Sequence, residues 1–162
     1  MTEKITISNN FKLFTAIVIC QTVGITAGLL TSAKNNLWFD SIIKPSWNPP
    51  AYLFAPVWTT LYLLMGISLS LIWRSHAMEP YKTNAMLLFA GQLFLNFWWT
   101  ILFFSMHSPS MAFIDIILMI ISILITIFAF ASISKTAAWL LVPYISWVCF
   151  AAILNYTIWK LN

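Results

Sequence analysis

Six side chains stand out against the long apolar stretches that carry them: Trp58, Tyr62, Asn96, Trp99, Asp115 and Trp147. Trp58 and Tyr62, Asn96 and Trp99, and Trp147 and Ala151 are each three or four residues apart, so on helices each pair shares a face. Aromatic walls with a few hydrogen-bonding groups among them suit non-covalent recognition of a flat, apolar ligand. Asp115 is the only acidic residue within an apolar stretch. An ionisable side chain in that setting marks a functional position or a hydrogen bond to a neighbouring helix. Gln21, Thr22, Gln92 and Asn155 complete the set of larger polar groups there.

Hydrolytic and acid–base chemistry finds no such support. His76 and His107 lie in loops on opposite ends of the helices, so they cannot form one dyad, and no intramembrane serine has a histidine base within reach. His107 has the donor type to ligate a haem iron, but a solvated loop histidine is the simpler reading. Cys20 and Cys149 both sit in apolar stretches without partners at metal-ligand spacing, and read as small apolar side chains.

The elements that must position these residues are membrane spans. Of the 162 residues 61% are hydrophobic and only 7% charged, with a mean hydropathy of +0.88. A soluble domain carries about 25% charged residues to cover its surface. The net charge of +4 is scattered, with no basic run able to track a nucleic-acid backbone, so no nucleic-acid partner is expected. Five apolar segments separate at about residues 11–31, 52–73, 84–105, 111–132 and 136–159. Each is long enough, at about 1.5 Å per residue, to cross a hydrocarbon core of about 30 Å. Only helices satisfy a lipid-exposed backbone in segments so long and so uniformly apolar. The sequence therefore predicts an all-α integral membrane protein, a single domain of five spanning helices over residues 1–162. The first segment follows only Glu3 and Lys4 and is too long for a cleaved signal segment.

Tight loops at residues 106–110 and 133–135 make the third, fourth and fifth spans antiparallel neighbours. The loop from Ser32 to Ala51 is long, and it holds Trp38, Phe39, Pro45, Trp47, Pro49 and Pro50. A loop both aromatic and proline-rich is expected to be a stiff cover at the membrane surface, a lid. Lys4, Lys12, Arg74, Lys82 and Lys135 fall on one side, and Lys34, Lys44 and Lys160 on the other. This split favours a cytoplasmic N-terminus.

Beneath the lid-side surface, the helix rise puts Trp58 and Tyr62 at roughly 9 and 15 Å, Trp99 and Asn96 at roughly 9 and 13 Å, Asp115 at roughly 7 Å and Trp147 at roughly 18 Å. Four helices thus contribute to one layer, and if their faces point inward they line one pocket. Trp38, Trp47, Trp73, Trp139 and Trp159 fit an interfacial aromatic belt. Trp58, Trp99 and Trp147 lie deeper and remain open to either packing or ligand contact. The small residues of Gly24-Ile25-Thr26-Ala27-Gly28 suit close helix packing, within the chain or between chains.

At these residues the chain resembles the translocator protein family, also called TspO or tryptophan-rich sensory proteins, over essentially its whole length. The similarity runs through Trp38-Phe39, Lys44-Pro45, Trp47 and Pro49-Pro50 in the lid, and through Pro56-Val57-Trp58, Leu61-Tyr62 and Met65-Gly66 in the second span. It continues through Asn96, Trp99 and Phe103-Phe104 in the third, Asp115 in the fourth, and Trp139, Pro143-Tyr144, Trp147 and Asn155-Tyr156 in the fifth. The resemblance implies a five-helix bundle, usually a homodimer, with a pocket under the first loop that binds porphyrins such as protoporphyrin IX or haem, and synthetic flat ligands. The ligand-contact positions it implies are Pro49, Trp58, Tyr62, Asn96, Trp99, Trp147 and Ala151, with Asp115 as the fourth-helix acid. Trp58 and Trp147 match the tryptophans implicated in light-dependent porphyrin breakdown. Leu154, Tyr156 and Lys160 fit a proposed sterol-recognition pattern, weak on general grounds. Phe39 stands where many members carry tyrosine, which removes one hydroxyl from the lid.

Three functions follow as expectations. The first is a membrane receptor that binds a porphyrin and regulates, sequesters or moves it, with no required cofactor. The second is a catalyst that degrades protoporphyrin IX with light and oxygen, in which Trp58 and Trp147 are redox-active neighbours of the ring. The third is a structural partner acting through its helix faces. No energy-coupling motif supports active transport.

Overall fold

A helix in lipid must begin and end where its orphan N–H and C=O groups can be satisfied, and the chain marks those places locally. A computed structural model describes residues 8–31 and 36–162; Glu3, Lys4 and Lys34 lie outside the described residues. Helix α1 (Asn9–Leu30) opens on Ser8, whose Oγ accepts from the Phe11 N–H at 3.2 Å. It closes on Thr31, whose N–H and hydroxyl both donate to the Ala27 carbonyl. A short helix α2 (Leu37–Ser41) is capped by Asn36, which accepts from the Phe39 N–H at 2.9 Å. Helices α3 (Ala51–Trp73), α4 (Glu79–Thr100), α5 (Pro109–Ala131), α6 (Lys135–Leu140) and α7 (Val142–Leu161) complete the chain. Proline stands in the first turn of α4, α5 and α7, where the missing N–H costs nothing.

Among the described residues, five helical stretches are long and apolar enough to cross a membrane: Asn9–Leu30, Ala51–Trp73, Glu79–Ser105, Pro109–Ala131 and Lys135–Leu161. The five-span all-α bundle expected from the sequence is what the chain forms. The helix of the third span begins at Glu79, one turn before the apolar run that opens at Asn84. The Glu79–Lys82 ion pair (2.6 Å) sits on this polar first turn. At its far end Ile101–Ser105 widens into a π-helical turn, in which the Met106 N–H reaches the Ile101 carbonyl at 2.9 Å. The fifth span is two helices, because Leu141 donates to Ala138 and Pro143 has no N–H to give. The Ala137 carbonyl, left without its helical partner, accepts the Ser68 hydroxyl of α3 at 2.7 Å. A serine thus repairs the break from a neighbouring span.

The spans run alternately up and down. α1 packs chiefly on α3, α4 on α5, and α5 on α6 and α7. Large apolar side chains such as Phe14, Leu29, Phe94 and Phe128 face outward, where a soluble protein would place charge. Polar residues on the spans are quieted by their own helices: Thr59, Thr60, Thr126, Ser146 and Thr157 each donate to the carbonyl four residues back.

The close pairing of α1 and α3 depends on two glycines. A Cβ at Gly66 would come 2.6 Å from the Ile17 Cα, and one at Gly24 would overlap the Tyr62 ring. Gly24 therefore works within the chain. Gly28 meets none of the described residues within 4 Å. Gly24→Ala should lower the thermal unfolding midpoint of the detergent-purified protein, with a cost of about 1–3 kcal/mol for overpacking. Gly28→Ala should leave the midpoint nearly unchanged. Equal midpoints for Gly24→Ala and wild type would show that Tyr62 has room to yield.

Candidate functional site

Tyr62 enters the bundle about three turns below the lid end of α3, and burial in an apolar interior obliges its hydroxyl to find a partner. It donates to Asn96 Oδ1 on α4. The Asn96 amide nitrogen in turn donates to the Tyr144 hydroxyl of α7 at 3.2 Å and lies 3.8 Å from the Met119 sulfur of α5. Tyr144 donates to the same sulfur at 3.5 Å. One asparagine therefore joins three other spans in a closed polar network. Trp58, one turn toward the lid, lies against both tyrosines, with ring centroids 5.6 Å from Tyr62 and 6.4 Å from Tyr144.

The other sequence-selected residues surround this network at different removes. Asp115 is buried one turn lidward of Met119 on the same face of α5, so it faces the same interior. Its Oδ2 has no hydrogen-bond partner among the described residues, and the same holds for both amide atoms of Gln92, one turn from Asn96. Buried groups of this kind retain full hydrogen-bonding capacity for a polar group brought in from outside. Trp99 does not bond to Asn96. Its indole N–H donates instead to Asn155 Oδ1 at 3.0 Å, and Asn155 Nδ2 donates to the Pro109 carbonyl at 2.7 Å.

Trp147 belongs to a second, adjoining aromatic group near the lid, 6.0 Å from Phe54 and 5.3 Å from Phe150. Phe54, of this second group, and Trp58, of the first, are one turn apart on α3. Ala151 is half-buried one turn beyond Trp147 and packs against the core. Pro49 is half-buried in the lid, with its carbonyl accepting from Asn48 Nδ2 at 3.0 Å. The sterol-pattern residues do not share a face. Leu154 is buried among Leu102, Phe103 and Ala112. Tyr156 and Lys160 point outward, with the Lys160 ammonium 4.5 Å from the Trp159 ring centre and 5.6 Å from that of Tyr156.

The lid rests on the corner between α4 and α5 and on the second aromatic group. Trp38 stacks on His107 (4.7 Å, 16°) and meets Phe103 edge-on at 5.5 Å. Phe39 packs on Phe103 and Phe104, and Trp47 meets Phe150 at 6.0 Å. His107 holds a φ of 51°, the left-handed conformation that reverses the chain sharply between α4 and α5. That turn presents its ring to the lid. No group of three or more metal-ligating side chains occurs among the described residues.

Tyr144, Met119 and Phe54 were not singled out by spacing. The signal for Tyr144 was present, since Tyr144, Val148, Ala152 and Asn155 recur at helical spacing and all four are buried. Nothing in the sequence distinguishes that stripe from ordinary core.

A model of the TspO/MBR family matches residues 16–160. The chain is 42% identical over 144 residues to the tryptophan-rich protein TspO of Chlorobaculum tepidum, covering 89% of this chain and 91% of the relative. It is 41% identical over 128 residues to the translocator protein of Ovis aries, covering 77% and 75%. It is 32% identical over 145 residues to protein CrtK of Rhodobacter capsulatus, covering 90% and 89%.

The network makes a quantitative expectation. In a double-mutant cycle of Tyr62→Phe and Asn96→Leu, read by unfolding in detergent, the coupling energy should fall at about 0.6–2 kcal/mol, the range of interhelical hydrogen bonds in membranes. Additive losses would mean that the bond contributes nothing to holding α3 on α4.

Proposed function

The chain belongs to the TspO/MBR family, and on that premise we propose that it is a membrane receptor for porphyrins such as protoporphyrin IX. The observation that carries the reading is the half-buried Trp58 lying against the buried Tyr62–Asn96–Tyr144 network, on the side of the bundle that carries the aromatic lid. A tetrapyrrole is flat, largely apolar, and polar at its nitrogens and carboxylates. The indole and phenol rings match its faces, and Asp115 Oδ2 and the Gln92 amide offer hydrogen-bonding capacity within the same bundle. The bound pigment would be sequestered, handed on or sensed; a ligand held this way needs no further cofactor. A homodimer with a cytoplasmic N-terminus accompanies this proposal. Lys12, Arg74, Lys82 and Lys135 on the N-terminal side outnumber Lys44 and Lys160 on the lid side among the described residues, which supports that orientation.

A second reading, light-dependent degradation of the porphyrin, is favoured by one feature. Trp58 and Trp147 are both half-buried, and Phe54, one turn lidward of Trp58 on α3, lies 6.0 Å from Trp147, so a ring lying across the two aromatic groups would meet both indoles. The porphyrin would absorb the light and be oxidised by dioxygen, with the indoles as redox-active neighbours positioned against the ring and unchanged overall.

Titration of protoporphyrin IX into the purified protein, in the dark and then under illumination, tests both readings. Saturable tryptophan quenching is expected in the dark. Trp58→Ala should weaken binding several-fold, because an aromatic contact is worth about 0.5–1.5 kcal/mol beyond the area it buries. Absence of saturable quenching would remove the porphyrin reading. If the Soret band is lost in light only with protein and oxygen present, and Trp58→Phe or Trp147→Phe binds but does not bleach, the second reading gains. Bleaching at the wild-type rate in both variants would dismiss these tryptophans as catalytic.

A further inference from the structure

Beyond α7, the Asn162 side chain folds back over the lid. Its Oδ1 accepts from the Ile43 N–H at 2.9 Å, and its Nδ2 donates to the Ile43 carbonyl at 3.0 Å. One carboxamide thus pairs with both backbone groups of a single lid residue, as a neighbouring strand would. The same nitrogen also reaches the Ile158 carbonyl at 2.9 Å, which ties the pair to the last turn of α7. The two partners are 119 residues apart in sequence, and each bond joins a spanning helix to the lid.

The position of this pair matters because the rest of the lid is held differently. Its first part is fixed on the α4–α5 corner by Asn36, whose Nδ2 donates to the Phe104 carbonyl at 2.9 Å, and by the rings of Trp38 and Phe39. Its last part runs directly into α3 at Ala51. Between them, residues 42–50 form no helix. That middle stretch meets α7 and its end through Ile43 on Asn162 and through Trp47 on Phe150, while Ile42 packs on the apolar cluster that includes Leu154 and Ile158. Phe150 is the ring that also packs on Trp147. Lifting residues 43–48 from α7 would therefore uncover the lidward aromatic group without disturbing the Asn36 anchor.

We propose that Asn162 is a latch that holds the middle of the lid on α7 and so sets how often the lid opens over Trp147. The latch stands on its own geometry. Its effect on ligand entry rests on the porphyrin reading above.

Both bonds are at the membrane surface and accessible to water, so each contributes modestly and the pair shifts lid opening on the order of tenfold. Amide hydrogen exchange by NMR on the full chain without ligand reads this directly. In Asn162→Ala the Ile43 amide should exchange on the order of tenfold faster, while the Phe39 amide, held by Asn36, keeps its wild-type rate. Asn162→Asp retains an acceptor for the Ile43 N–H but loses the donor to its carbonyl, and should fall between the two. An unchanged Ile43 rate in Asn162→Ala would overturn the latch. Equal acceleration at Ile43 and Phe39 would overturn it too, because the whole lid would then have loosened. Stopped-flow quenching by protoporphyrin IX adds the functional arm, with association and dissociation both faster in Asn162→Ala. If the Ile43 amide is released and those rates stay at wild-type values, the latch does not gate entry. If wild type shows no saturable binding, the porphyrin reading fails and exchange alone decides the latch.

Discussion

The Tyr62 hydroxyl, donated to Asn96 inside an apolar bundle, is the contact on which all five spans converge. It joins α3 to α4 directly, reaches α7 and α5 through Tyr144 and Met119, and touches α1 because Gly24 has no side chain to keep that helix off the Tyr62 ring. In lipid the hydrophobic effect does not distinguish one helix face from another, since the solvent is as apolar as leucine. Packing and internal hydrogen bonds decide the arrangement instead. A buried amide with two donors and an acceptor, placed among two phenols and a thioether, selects one rotation for each helix that meets it.

The same requirement explains the irregular parts of the bundle. Where Pro143 breaks the fifth span, Ser68 supplies the missing donor. Where the third span ends, the π-helical turn carries Phe103 and Phe104 onto the lid, and His107 adopts a left-handed conformation to turn the chain beneath Trp38. Asn155 holds the Trp99 indole and the start of α5 together. Apart from the Pro143 break, which lies in the opposite half beside Ser68, these irregularities cluster toward the lid, where the aromatic groups are; the rest of that opposite half is plainer apolar packing such as Phe89 stacked on Phe130.

The sequence made the spans legible because twenty apolar residues with few charges have only one stable form in a membrane. It made the common level of Tyr62 and Asn96 legible because helix rise is constant, and the two side chains meet. It did not reveal which residues touch, since contact depends on how each helix is rotated and rotation is set by partners far away in the chain. Tyr144 was hidden for that reason, and so was the bond from Trp99 to Asn155 rather than into the Asn96 network. The break before Pro143 lay within an apolar run that reads as continuous, and the Asn162–Ile43 pair joins residues with no local signature at all.

The third and fifth spans each run to 27 residues. A straight helix of that length measures about 40 Å, well beyond a hydrocarbon core of about 30 Å. A bundle of such rods would suffer hydrophobic mismatch, tilting strongly or thickening the bilayer around it. The excess is absorbed differently in each. In the third span a charged first turn stands clear of the hydrocarbon and a widened π turn shortens the far end. In the fifth, the break at Leu141 separates a short first piece, Lys135–Leu140 with an outward Trp139, from the longer helix Val142–Leu161. The two long spans therefore carry, in a polar first turn, a widened turn and a break, their own means of shortening the straight apolar rod each presents to a bilayer.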